Sequence, residues 1–172
     1  MAFPLDDLPD PSTWFTNALI TAALMKTNYT TPINLLPRPY YGEATSTANV
    51  TLSTTSAFAG LATKTFTLNV QRRVKISVQN RFQPVSGVAS RMEVQAGYNT
   101  GSSPVIGSFV GVGQVSDLAL GTSTQASQLA VGTALLAAGT YTAYASLQRA
   151  AGGGATDVAN LHYVLVEDLG SA

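Results

Sequence analysis

The sequence predicts an all-β protein, a sandwich or barrel of about eight strands, behind an N-terminal segment of different character. Three observations carry the prediction. From about Glu43 onward, short runs alternate apolar and polar residues between clusters of Gly, Pro, Asn and Ser, which is the two-residue period of half-buried strands. Charged residues make up only 10% of the 172-residue chain and cysteine is absent, so disulfides and thiolate metal sites are excluded. The third is the stretch from Leu135 to Gly170, where two strand-like runs flank Gly152-Gly153-Gly154 and the second run is apolar on both faces.

Residues 1–42 read as an arm and a helix. The opening MAFPLDDLPD is acidic and punctuated by proline, which is not the pattern of a signal peptide. A helix is expected from about Thr13 to Asn28, with Ser12 or Thr16 as N-cap. Phe15, Leu19 and Ala22 lie on one side of it and Ala18, Leu24 and Met25 on others, so it is apolar round most of its perimeter and is expected to be buried against partners. Pro32, Pro37 and Pro39 then block helix and favour an extended connector to Tyr41. The run Ala18 to Met25, broken by Thr21, falls far short of the roughly 18 residues that cross a membrane.

Residues 43–172 read as the β head. Lys64 to Val70 puts Phe66, Leu68 and Val70 on one face, and Val74 to Gln79 puts Val74, Ile76 and Val78 on one face. Ser90 to Tyr98 alternates Met92, Val94 and Ala96 with Arg91, Glu93 and Gln95. Val105 to Val112 reads as a Gly-interrupted apolar strand, with further candidates at Ala48 to Ser53 and Gln128 to Val131. In the closing pair, Thr140 to Gln148 places Tyr141, Ala143, Ala145 and Leu147 on one face. Val158 to Leu169 places Val158, Val164 and Val166 on one face and Leu161, Tyr163, Leu165 and Leu169 on the other. The pair is expected to form a hairpin. Burying a Leu or Tyr is worth about 1.5–3 kcal/mol, so the second apolar face calls for a cover, and another copy of the chain is the economical one.

Charge and chemistry point the same way. The formal net charge is zero, so no electrostatic footprint marks nucleic acid or an acidic membrane as a partner, and a near-neutral surface favours association. His162 is the only histidine and sits in an apolar run, where packing is favoured over catalysis. Glu167 and Asp168 are adjacent and point to opposite faces of a strand, which reads as two rim charges. Arg72-Arg73 reads as a solvated turn. No Lys-Ser/Thr follows Gly152-Gly153-Gly154, so it reads as a loop and not a phosphate cradle. Tyr98-Asn99, between strands, is the best placed pair for stacking on a host cell-wall glycan. The expected protein is not an enzyme and needs no cofactor or metal.

Both ends resemble phage structural proteins. Leu136-Ala137-Ala138-Gly139-Thr140-Tyr141-Thr142, the glycine turn, and the closing Val166-Glu167-Asp168-Leu169-Gly170 resemble the C-terminal jelly-roll modules of bacteriophage fibre and virion appendage proteins, which are trimers similar to tumour necrosis factor heads. Thr13-Trp14, then Ile20-Thr21-Ala22-Ala23-Leu24-Met25 and Pro39, resemble the attachment segment of minor tail proteins from phages of actinobacteria, with Met25 where that family has Asn. The resemblance implies an antiparallel jelly-roll head behind a docking arm. It also implies a homotrimer in contact with other virion proteins, with Trp14, Phe15, Leu19, Leu24 and Met25 docking. Tyr141, Leu161, Tyr163 and Leu165 would lie at the trimer interface, and Tyr98 and Asn99 would contact any glycan. It leaves open a minor tail protein, a capsid decoration protein or a host-glycan-binding module.

Overall fold

The computed structural model describes residues 41–52, 56–84, 90–113, 116–120, 125–152 and 157–170. The expected arm and helix, with Trp14, Phe15, Leu19, Leu24 and Met25, lie outside the described residues. Ten strands fall within them: β1 (Gly42–Ser46), β2 (Val50–Leu52), β3 (Phe58–Leu68), β4 (Arg72–Pro84), β5 (Ser90–Thr100), β6 (Val110–Gly111), β7 (Ser116–Leu120), β8 (Ala126–Leu136), β9 (Gly139–Gly152) and β10 (Asp157–Gly170).

They form two antiparallel sheets. The first sheet runs β1-β10-β4-β8, with β2 also on β10, and the second runs β3-β9-β5-β6, with β7 also on β5. Strands β1 and β2 occupy successive stretches of one side of β10, and β6 and β7 successive stretches of β5. Counting each pair as one position, the first sheet holds the first, eighth, third and sixth strands and the second sheet holds the second, seventh, fourth and fifth. That is the strand order of a jelly roll.

Period-two patterning builds the core between the sheets. Val74, Ile76, Val78 and Phe82 from β4 meet Met92, Val94 and Ala96 from β5. Phe66 and Leu68 from β3, Tyr141, Ala143, Ala145 and Leu147 from β9, and Val164 and Val166 from β10 complete the layer. β-Branched residues dominate the inward face of β4 because their stiff side chains pack well on a pleated surface.

Four expectations are corrected. β9 and β10 are not a hairpin: they lie in different sheets, and the connection 153–156, with Gly153 and Gly154 of the expected turn, lies outside the described residues. The segment 105–112 is not a full strand but a 3-10 turn, Ile106–Ser108, followed by the two residues of β6, because Gly107 and Gly111 leave it too little side chain to pack. Val70 falls beyond the end of β3. The faces of β10 also change over along its length. The pairing of β10 with β4 shifts between Asn160 and Tyr163, and Leu161 takes a positive φ of 48°. This bulge turns Ala159 inward, with Val158 opposite it, while Val164 and Val166 remain inward.

One contact across the sandwich is set by a glycine. An isolated bridge joins Gly113 to Gly132 of the edge strand β8, and a Cβ at Gly132 would fall on the Val112 carbonyl and the Gly113 Cα. Gly132→Ala is expected to lower stability by about 1–3 kcal/mol through forced backbone separation. Gly107→Ala, where a Cβ meets nothing, should stay within about 0.5 kcal/mol. Equal shifts of the urea midpoint in the two variants would refute this account.

Entry and exit of the described chain share one end of the first sheet. The Tyr41 N–H donates to the Val166 carbonyl at 2.7 Å, its phenol donates to the Asp168 carboxylate at 2.9 Å, and the Gly170 N–H donates to the same carboxylate at 2.8 Å.

Candidate functional site

The outward surface of the β1-β10-β4-β8 sheet is built by register. One row across it reads Thr45, Tyr163, Gln79, Leu129, and the next reads Glu43, Leu165, Ser77, Val131. A third pairs Glu167 with Lys75 and Lys75 with Thr133, and Arg73 stands opposite Leu135. Alternation on β8 turns Ala130 and Leu136 to the core and leaves Leu129 59% and Leu135 48% exposed, with Val131 exposed between them. On β10, Leu161 and Leu169 are exposed, and Tyr163 and Leu165 are half-buried. Small Ser77, 8% exposed, sits between Leu165 and Val131, so the middle of the face is low and aliphatic.

The charges on this face are largely paired within it. Lys75 meets Glu167 at 2.7 Å, and Tyr163 donates its hydroxyl to Glu43 at 2.9 Å. The Glu43 carboxylate that accepts this bond raises the Tyr163 phenol above its ordinary range. Such exposed pairs add little stability, but they leave the face nearly neutral, so it suits a partner that is itself neutral and apolar.

At the end of the face where the Leu161 bulge lies, His162 turns inward and is 2% exposed. Its Nδ1 lies 2.5 Å from the Asn80 side chain and its Nε2 3.2 Å from the Ala48 carbonyl. Burial pushes its pKa below the ordinary value, against the carbonyl contacts at Ala48 and Ala159 that favour the charged form. The Asn80 atom nearest Nδ1 is its Oδ1, so both ring nitrogens face oxygen acceptors, and a neutral ring, which carries one N–H, donates to one of them. Neither nitrogen is left to act as a base or metal ligand, and among the described residues no group of three His, Cys, Asp or Glu could hold a metal.

Two charges read from the sequence as solvated are buried. Arg72 is 2% and Asp168 6% exposed, and they meet at 3.2 Å. Tyr41 closes the group. Its phenol is raised first by burial and then by the Asp168 carboxylate it bonds, while its ring stacks on Phe66 at 5.4 Å. The sequence reading failed here because a charge next to a turn is ordinarily solvated, and its partner lay almost a hundred residues away.

Of the expected interface residues, Leu161, Tyr163 and Leu165 share the outer face. Tyr141 does not: its ring lies in the core, stacked on Phe66 at 5.8 Å and edge-on to Tyr98 at 5.6 Å, because odd positions of β9 face inward. Tyr98 is half-buried and its phenol is raised by burial. Asn99 is 1% exposed. Its amide donates to the Thr100 and Ser103 carbonyls at 2.8 and 2.9 Å, and its oxygen accepts from the Val105 N–H at 3.1 Å. That side chain pins a loop and does not present itself to a sugar.

The same loop covers the other sheet. Thr142 donates to the Gly101 carbonyl at 2.8 Å and Tyr144 to the Val105 carbonyl at 2.8 Å. Phe109 sets its ring edge-on to Tyr144 at 5.2 Å, over a space that a Cβ at Gly97 would fill. The outer face of β9 at Thr142 and Tyr144 is therefore covered from within the chain, whereas the outer face of β10 and β8 has no such cover among the described residues.

No family model matches the sequence, and no curated protein matches it. Among solved structures, the chain is similar to Eiger TNF from S. frugiperda, at 10% identity over 78% of this chain and 96% of that one, with a TM-score of 0.47. It is also similar to a chain of infectious bursal disease virus Gx strain, at 10% identity over 74% of this chain and 32% of that one, with a TM-score of 0.29.

Proposed function

We propose that this chain is a non-enzymatic structural subunit of a bacteriophage virion, a minor tail protein. Its β head associates as a homotrimer, and its residues 1–42 dock it on other virion proteins through Trp14, Phe15, Leu19, Leu24 and Met25. The observation that carries the reading is the aliphatic face, without cover among the described residues, formed by Leu161, Tyr163 and Leu165 of β10 with Val131 and Leu135 of β8. A monomer of low charge would expose this face at a cost in solubility, and a second and third copy would cover it. The placement of this particle in a phage, and on its tail, rests on the resemblance of the two ends of the sequence. The non-enzymatic reading is supported by His162, whose ring nitrogens are both engaged.

Light scattering on the full chain tests the assembly. The mass should be that of a trimer, and Leu165→Glu or Val131→Glu should weaken association at least about a hundredfold, since a charge is set without a partner in an apolar contact. A wild-type chain that stays monomeric at micromolar concentration sinks the reading. Labelling on intact particles locates the subunit: label confined to the tail supports the assignment, and label over the whole head replaces it with capsid decoration.

A further inference from the structure

We propose that the depression beside the Leu161 bulge is a saccharide site, sized for one neutral sugar ring. It goes beyond the assembly read above, although it shares Leu161 and Tyr163 with the contact between copies.

A break in the strand makes the site. Pairing with β4 passes from Asn160 opposite Arg81 to Tyr163 opposite Gln79, so Leu161 and His162 both fall opposite Asn80, the two-against-one count of a β-bulge. Leu161 takes its left-handed φ of 48° there, a conformation that a bulky residue keeps only where its surroundings impose it. Strained residues of this kind, and bulges, concentrate at binding sites. The bulge sends two neighbours opposite ways: Leu161 is 42% exposed and His162 2%. His162 then fixes one wall, because its ring lies against Asn80 of β4 and, at 3.2 Å, against the Ala48 carbonyl in the connection from β1 to β2. The Ser46 hydroxyl accepts from the Ala48 N–H at 3.3 Å, so the wall is organised before any ligand arrives.

What the depression offers is neutral and amphipathic. Its volume is about 250 Å³, below the roughly 300–1,000 Å³ of pockets that hold drug-sized ligands, which fits one ring and not a chain of them. Thr45, Ser46, Thr47 and Ser127 bring hydroxyls and Gln79 a side-chain amide, groups that both donate and accept. Tyr163 adds an aromatic ring and Leu161 an aliphatic surface, and no Asp, Glu, Lys or Arg lines the site. The charges nearby in register are engaged: Glu43 accepts the Tyr163 hydroxyl, and Arg81 donates to Asn160 at 2.8 Å.

That lining selects among ligands. An ionic ligand would lose hydration there without meeting a counter-charge, and a wholly apolar one would strip water from the hydroxyls and the amide and leave them unpaired. A sugar ring has a face of C–H groups and a girdle of hydroxyls, and the register sets out the matching groups. Tyr163 stands between Thr45 of β1 and Gln79 of β4, and Ser127 of β8 lies opposite Arg81, two residues along β4. The aromatic ring is thus flanked on both sides by polar side chains, an arrangement that packs the C–H face on Tyr163 and bonds the girdle at its edges. Tyr98 and Asn99, in the other sheet, have no part in it.

The test uses the full chain carrying Val131→Glu, which keeps neighbouring copies off the face and lies outside the lining; Leu135→Glu replaces it should that variant not fold. Amide NMR spectra are titrated with methyl glucoside, methyl galactoside, methyl mannoside and N-acetylglucosamine, with glycerol as a polyol without a ring and glucuronate as a charged ring. At least one of the neutral sugars is expected to bind with a Kd on the order of 1 mM and to shift the signals of Thr45, Thr47, Gln79, Ser127 and Tyr163. Gln79→Ala together with Ser127→Ala should weaken that binding at least about tenfold, for the loss of two hydrogen-bonding groups. The site is overturned by the absence of binding by all four sugars up to about 50 mM, by glycerol or glucuronate binding as well as the best of them, by shifts centred elsewhere, or by an unchanged Kd in the double replacement. A wild type that is monomeric without sugar refutes the assembly reading alone, and the titration still decides the site.

Discussion

Asp168→Ala is expected to lower stability by about 3–5 kcal/mol, the cost of taking one member out of a buried ion pair. The Arg72 guanidinium lies 3.2 Å from this carboxylate, and both residues are almost wholly buried. Removing the carboxylate takes away the counter-charge of a buried cation and two further acceptor roles, toward the Tyr41 hydroxyl and the Gly170 N–H. Asp168→Asn keeps an acceptor and should cost less. The double replacement Arg72→Met with Asp168→Leu should recover most of the loss, because well-packed apolar residues of similar volume replace buried ion pairs at little cost. Urea unfolding reads all three, and a double variant no better than Asp168→Ala would show that the group acts through its hydrogen bonds and not through charge.

Tyr144→Ala is the second large effect, at about 3–5 kcal/mol for an aromatic truncated in a packed site. Tyr144 is fully buried although it points away from the core, because the loop 101–109 lies over it. Tyr144→Phe removes only the bond to the Val105 carbonyl and should cost about 0.5–1.5 kcal/mol. The two replacements separate cover from core. Truncation should also speed amide exchange across residues 101–111 and should be non-additive with Phe109→Ala, since the rings are in contact. Additive losses would mean that the loop is held by Asn99 and Thr142 alone.

The strands that could be read from the sequence are those whose inward residues follow one unbroken parity. Val74, Ile76 and Val78 on β4 and Met92, Val94 and Ala96 on β5 are such runs, and both are in the core as expected. Period two also carried the outward set Leu161, Tyr163, Leu165 and Leu169. It failed where one residue broke the count. Nothing local marks Leu161 for a left-handed conformation, for which Gly or Asn is the usual choice, so Val158 is misassigned. Alternation likewise says which face is apolar but not what lies over it. Tyr144 and Leu165 both face outward from their sheets, and only a loop some forty residues from Tyr144 distinguishes them. On β8 the sequence marks only Gln128 to Val131 as a candidate strand, because Ala, Gly and Thr dilute the apolar residues, whereas register with β4 sets Val131 in one row with Leu165.

The shared carboxylate of Tyr41 and Gly170 makes the head a one-handled object. Whatever is joined to the chain ahead of Tyr41 or behind Gly170 is attached at the same end of the sandwich. The opposite end, where Pro84, Asp157 and Leu52 come together in register, carries neither attachment. A fluorescent tag or a gold cluster fused after Gly170 would therefore stand at the end of the sandwich where Tyr41 enters it.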